Sequence, residues 1–345
     1  MFKTLTTNII LLLMVIFKIM GQEHKTIYLS DYTFSESKSK VGFIKINKEG
    51  AAIHSASVTG YEGDLFKIGK NNELSIRKTK DPKSWYDVTV VAKTDIGEIT
   101  NTFRVVNDQF IKNKVIAHRG AWKNTSSPEN SVAALKHAIS MGCEGSEFDV
   151  HLSEDSRIFV NHDATIQNIA IEKTGSEVLS SIKLSNGESL PTLEDFLREG
   201  MKQNKTKLIL ELKPSAVSKE RGIALSHKAL EIVEQFKAQG WVDYISFDYD
   251  ICKEIIKLAP YAKVSYLKGE KTPEELAKDK LYGLDYHHSV LRKNPNWIRE
   301  AHQNKLTVNV WTVNSEDDMD WLLKENVDFI TTNEPELLLK KVAKK

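Results

Sequence analysis

Cysteine is nearly missing: Cys143 and Cys252 are the only two in 345 residues. Two cannot build a disulfide framework, and their separation leaves no C-x-x-C pair for a thiolate-bound zinc. Two separate buried thiols are expected. A surplus of one charge sign is missing too. The 48 Lys+Arg balance 47 Asp+Glu, leaving a formal +1. The basic footprint that grips nucleic acid is absent, so nucleic acid is not an expected partner. Long apolar runs are confined to the start of the chain. Ile9 to Phe17 is unbroken for nine residues, short of the roughly 20 a membrane span needs.

That short run suits the core of a secretion signal, which takes roughly 7–15 apolar residues. Lys3 supplies the positive start, and Gly21 offers a small residue for cleavage before Gln22. A signal peptide over 1–21 is therefore expected, with a mature chain that is exported, periplasmic or secreted, and not stably inserted in a membrane. A buried N-terminal helix or a retained anchor is the bland alternative. No cysteine follows the run to accept a lipid.

Two composition regimes follow. From 25 to 108, short alternating runs at Thr26–Ser30, Val41–Ile46, Leu65–Ile68, Leu74–Arg77, Tyr86–Lys93 and Ile99–Val106 are separated by turn clusters such as Gly60–Gly63 and Asp95–Gly97. Regularly spaced short strands predict a small all-β sandwich. From 113 to 345, eight strand-like runs alternate with helical stretches: Val115–Ala117, Ser146–Val150, Lys207–Leu212, Tyr244–Phe247, Val264–Leu267, Tyr282–Asp285, Thr307–Thr312 and Phe329–Thr331. This α/β pattern predicts a (β/α)8 TIM barrel. Ile158–Asn161 follows the second run too closely for a helical crossover and is expected to form a hairpin with it.

In such a barrel the reactive groups stand at the C-terminal ends of the strands, and polar residues do appear where the apolar runs stop. The first run ends in His118-Arg119-Gly120, and the hairpin run ends in His162-Asp163. Glu147 and Asp149 lie two apart on one strand and share a face, as do Glu211 and Lys213. Unpaired carboxylates do not belong in a dry core. Three converging at one mouth need a cation between them, and all-oxygen ligands favour one hard divalent ion, Ca2+ or Mg2+. Arg119 and Lys213 add charge suited to a phosphate oxygen. Trp311 and Phe247 lie at strand ends with Tyr286 nearby, and they either line a pocket or fill the barrel. His287 and His288 would face opposite sides of a strand, with a surface or loop role.

The segments V-I-A-H-R-G-A at 115–121, P-E-N at 128–130, E-F-D-V-H-L at 147–152 and V-N-H-D at 160–163 resemble glycerophosphodiester phosphodiesterases. So do L-P-T-L-E-D-F-L at 190–197, L-I-L-E-L-K-P at 208–214 and V-N-V-W-T-V-N at 308–314. The resemblance covers 113–340 and implies a barrel, hydrolysis of a small glycerol-linked phosphodiester and a divalent metal. By it, His118 and His162 are the catalytic histidines, and Glu147, Asp149 and Glu211 the metal ligands. Arg119 and Lys213 are phosphate contacts, and Glu129 orients the Arg or His of the first strand. Two departures stand out: Thr332-Asn333-Glu334-Pro335 lacks the acidic residue of the usual T-D-x-P, and Gln167-Asn168-Ile169-Ala170 replaces D-R-T-T. Only 28 residues separate His162 from Pro191, leaving little room for a capping subdomain. The N-terminal stretch resembles a cadherin-like or immunoglobulin-like module without the calcium-binding acidic clusters. It is expected to act as a spacer or docking element, with surface or glycan contact open.

Hydrolysis of glycerophosphodiesters to glycerol 3-phosphate, or a related monoester, and an alcohol is the leading expectation. A phospholipase-like phosphotransferase working through a cyclic phosphate and a catalytically silent surface-binding protein stand beside it. Two histidines in opposite protonation states predict a bell-shaped rate profile. Rate against pH for wild type and His162→Ala is the check, and the variant should lose one limb.

Overall fold

The computed structural model describes residues 27–343, and the expected export segment lies outside them. The first unit is two four-stranded sheets face to face. One runs in the order Ile27–Leu29, Lys40–Ile46, Glu73–Ile76, Phe66–Ile68, and the other Thr33–Phe34, Gly97–Asn107, Trp85–Thr94, Ile53–Thr59. Trp85–Thr94 alternates buried and half-exposed residues along its length, as a strand with one face on a core must. Leu29, Phe34, Ile44, Leu74, Val88, Val90 and Phe103 fill the space between the sheets. The strand Ile53–Thr59 was not expected. It is an edge strand rich in serine and threonine, mostly half-buried or exposed, and therefore shows little apolar alternation.

Eight parallel strands then close on themselves: β1 (Val115–Ala117), β2 (Gly145–Leu152), β3 (Lys207–Leu212), β4 (Val242–Ser246), β5 (Val264–Tyr266), β6 (Gly283–His287), β7 (Thr307–Trp311) and β8 (Phe329–Thr332). β1 pairs with both β2 and β8, so no barrel edge is left open. Ile158–Val160 pairs antiparallel with the end of β2, as the short gap predicted. Side chains alternate across each strand. Outward residues such as Phe148, Leu208, Leu210 and Tyr244 join the core under the helices. Inward residues Ile116, Ile209, Ile245 and Leu267 make an apolar plug inside the barrel.

The helices start where short polar side chains can cap them. Ser131 accepts the Ala134 N–H at the head of Val132–Met141, and Thr192 forms a reciprocal cap with Asp195 on Leu193–Gly200. Such caps satisfy amides that have no partner inside the helix. The segment between His162 and Pro191 is more ordered than its length suggested. It folds a two-stranded ribbon and the helix Ser176–Ser181 around Ile171, Leu179, Ile182 and Leu190, with Phe159 beneath.

The two units meet at the N-terminal ends of the barrel strands. Trp85 packs edge-on against Trp241 at 5.8 Å, and Tyr32 against Tyr261 at 4.9 Å. Asn47 donates to the Leu258 carbonyl at 2.6 Å, and Asn204 donates to the Asn107 carbonyl at 2.8 Å. Gly240 sits in this joint, where a Cβ would come within 2.5 Å of a Val106 methyl and 3.3 Å of the Tyr32 carbonyl. Overpacking of this kind costs roughly 1–3 kcal/mol. Gly240→Ala should therefore lower the denaturant midpoint while the kcat of the folded fraction stays at the wild-type value, because the mouth lies at the other end.

Candidate active site

The site is built where β1, β2 and β3 end. Glu147 and Asp149 point inward from β2, and the register places Asp149 beside Glu211 on β3. One oxygen from each of Glu147, Asp149 and Glu211 lies within 4.8 Å of the others, and all three residues are buried. Their remaining partners are few. Glu147 Oε2 accepts the Arg119 backbone N–H at 2.8 Å, while its Oε1 has no hydrogen-bond partner. Asp149 accepts from Asn130 Nδ2 at 2.8 Å and from Lys213 Nζ at 3.2 Å. Lys213 also stands 2.9 Å from Glu211 Oε1.

Burial in a region of low polarity raises the cost of each charge. Burial first, then the neighbouring Asp149 and Glu211, push Glu147 well above the ordinary carboxylate range. Burial, then Asp149, push Glu211 up to about 8. Asp149 goes the other way. Burial opposes its charge, but Lys213 and the Asn130 hydrogen bond outweigh it and hold the carboxyl down. Lys213 is held above its usual range in return, burial opposing and Asp149 and Glu211 prevailing. Glu211 thus keeps its proton near neutrality unless a further positive charge arrives, and Glu147 is shifted in the same direction.

That arrangement fits a hard divalent cation. All three donors are carboxylate oxygens, and a buried Glu147 oxygen is left without a partner. Glu147, Asp149 and Glu211 would hold the ion, with Arg119 and Lys213 at its margin. Arg119 adopts a left-handed backbone, φ 57, and Gly120 after it has φ 80. This turn swings the β1 end back over the mouth. A Cβ on Gly120 would meet that of Ala134 at 2.7 Å. The Arg119 guanidinium donates to Glu129 at 2.8 Å and lies 3.7 Å from Asp149. Glu129 therefore orients the arginine and not the histidine.

His118, His162, Arg119, Glu147, Glu211 and Lys213 line one cleft with about 440 Å³ of open space. His118 Nδ1 stands 2.7 Å from Asn333 Oδ1. The amide oxygen can only accept, so His118 donates from Nδ1 and keeps Nε2 as an acceptor. Burial, then Arg119, push the His118 imidazole down to about 4. The Asn333 hydrogen bond works the other way but brings no counter-charge, and it does not offset them. His162 Nδ1 lies 2.7 Å from Asp163, an ion pair when the ring is protonated.

Trp311 and Phe247 line the cleft, their rings edge to face at 5.3 Å. Tyr286 does not. Its ring faces outward between Tyr266 and Trp297, and its hydroxyl donates to the Lys271 carbonyl at 2.7 Å. His287 and His288 do not face opposite sides either. β6 ends at His287 and a helix begins at His288, so strand alternation stops there and the rings stack at 4.1 Å. Both cysteines are free and buried, as expected.

Two contributors went unnoticed in the sequence. Asn130, at φ 57, binds Asp149 through both its side-chain nitrogen and oxygen. His151 Nε2 contacts the His162 carbonyl at 3.1 Å and ties down the loop carrying that histidine. His151 continues the inward row of Glu147 and Asp149 at the same spacing of two, which is the signal that could have found it.

Residues 118–337 match the pattern of the glycerophosphoryl diester phosphodiesterase family. A glycerophosphodiester phosphodiesterase of Caldanaerobacter subterraneus subsp. tengcongensis is 28% identical over 250 residues, covering 68% of this chain and 99% of the relative. The crystal structure of a glycerophosphodiester phosphodiesterase from Parabacteroides distasonis is 43% identical with a TM-score of 0.66, covering 67% of this chain and 97% of that one. A phosphodiesterase of Oleispira antarctica, solved with the product sn-glycerol-3-phosphate, shares the fold at 23% identity and TM-score 0.59, covering 67% and 97%. From the barrel, the acidic cluster and the paired histidines to these relatives, the chain belongs to the glycerophosphoryl diester phosphodiesterase family and is a phosphodiesterase.

Proposed function

We propose that this enzyme hydrolyses glycerophosphodiesters to glycerol 3-phosphate and an alcohol with the help of one divalent cation, Ca2+ or Mg2+. The observation that carries the reading is the acidic cluster with its unpartnered Glu147 oxygen, set in the same cleft as two histidines and two cations. Bound there, a dication would supply Lewis-acid charge against the phosphate. Arg119 and Lys213 hold the anionic diester beside it. His118, neutral and with Nε2 free to accept, takes a proton from the attacking water as its oxygen bonds to phosphorus. His162, paired with Asp163, protonates the departing alkoxide. A positioned acid or base typically contributes about 10²–10⁴ in rate, against total enzymatic accelerations of roughly 10⁶–10¹⁷. Positive charge from Arg119, Lys213 and a dication held by the cluster would carry the remainder.

We also propose that the chain is exported, a reading supported by Lys3 and the apolar run Ile9–Phe17. The two-sheet unit is read as a cadherin-like or immunoglobulin-like spacer that docks the enzyme to a surface or glycan. Among the described residues no helix is long and apolar enough to cross a membrane.

Chelation should abolish hydrolysis of glycerophosphocholine. Glu211→Gln should weaken metal affinity, with excess metal restoring part of the rate. A proton on Glu211 competes with the ion, so affinity measured by calorimetry should fall as pH drops below about 8. Full activity in chelator would end the metal reading. Asn333→Asp adds a carboxylate against His118, which favours the imidazolium, so the ring should titrate above its wild-type value of about 4. NMR of the imidazole carbons measures this, and the acidic limb of the rate profile should move up in step.

A further inference from the structure

Below the charged mouth the cleft continues into the barrel, and its floor is polar where β6, β7 and β8 lie side by side. Asp285 stands beside Asn309 in the register. Asn309 Nδ2 donates to Asp285 Oδ2 at 2.9 Å and lies 3.0 Å from Thr331 Oγ1, so one amide braces both neighbours. Asp285 is 1% exposed, and its second oxygen, Oδ1, has no hydrogen-bond partner. A buried acceptor left in this state is costly, and a ligand hydroxyl removes the cost. Asp285 and Thr331 both line the cleft, while Ile245, Leu267, Phe247 and Trp311 make its walls apolar. Trp311 is itself fixed, its indole N–H donating to the Asp285 carbonyl at 2.8 Å. Burial, which pushes the Asp285 carboxyl up to about 7, agrees with a site closed to bulk water.

A diester bound at the mouth has two arms. One must pass upward beside the half-exposed His162 and exposed Asp163, and the other downward into this short, closed space. The downward arm must be small and must carry a hydrogen-bond donor.

We propose that Asp285 is a specificity-determining residue that accepts a hydrogen bond from a hydroxyl of the glycerol arm, which points into the barrel while the leaving alcohol faces solvent. This rests on the glycerophosphodiester reading. Asp285 also borders a second void toward the N-terminal ends of the strands, so a role in holding water on that side is the competing outcome.

The test compares glycerophosphocholine with propyl phosphocholine, which lacks the glycerol hydroxyls, using the full chain with metal. Sites built to bind a hydroxyl reject analogues lacking it by up to about 10⁴–10⁵. Wild type should prefer the glycerol compound in kcat/KM by about 10²-fold or more. In Asp285→Leu that preference should collapse toward one, chiefly through KM. If the leucine variant does not fold, Asp285→Asn, which keeps the size, should reduce the preference at least tenfold. A preference unchanged in the variants, or equal losses on both substrates, overturns the assignment and leaves a structural water. Binding of glycerol 3-phosphate against propyl phosphate, followed by calorimetry, reads the same preference without turnover. Wild type inactive on every diester would overturn the functional reading, while this binding ratio would still decide the role of Asp285.

Discussion

Mutual repulsion among Glu147, Asp149 and Glu211 is the constraint around which the mouth is organised. Their oxygens lie within 4.8 Å of one another in buried positions, and Lys213 and Arg119 stand close by with positive charge. If all three acids ionise, they outnumber these two cations, one of which is shared with Glu129, so negative charge stays uncompensated in a region that penalises it. The neighbourhood is arranged to tolerate this. Asn130 fixes Asp149 from two directions, the turn at Arg119 delivers a backbone amide to Glu147, and Lys213 is shared between two acids. Such preorganisation is what the proposed hold on a dication would require.

The histidines answer a different need. His118 stays neutral because burial and Arg119 work against its charge and Asn333 supplies no counter-charge. His162 sits nearer solvent, beside a carboxylate. The cleft thus holds one imidazole that is buried and kept neutral and another that is half-exposed beside an acid.

Much of this was readable from the chain. Barrel strands show as short apolar runs because both faces are covered, and reactive residues fall where those runs end. His118, Lys213 and Phe247 all follow that rule. The spacing of two put Glu147 and Asp149 on one face before any coordinates. What escaped was contact between distant segments. Nothing local in Pro128-Glu129-Asn130 says that Asn130 reaches Asp149, nineteen positions on. His151 continued a visible row, but its partner is a carbonyl, which sequence does not display. Asp285 looked like a strand terminus, and only barrel closure set it at the floor beside Asn309. In the first unit, Ile53–Thr59 was hidden by its exposure, because an edge strand needs few apolar residues.

The joint through Gly240, Trp241 and Tyr261 has a directional consequence. These residues precede strands β4 and β5, so the two-sheet unit grips the end of the barrel farthest from the carboxylates. Were that unit to dock the enzyme to a surface, as proposed, it would serve as a pedestal: the catalytic opening would stay turned outward, and small diffusing diesters would meet an unshaded entrance however crowded the ground beneath it.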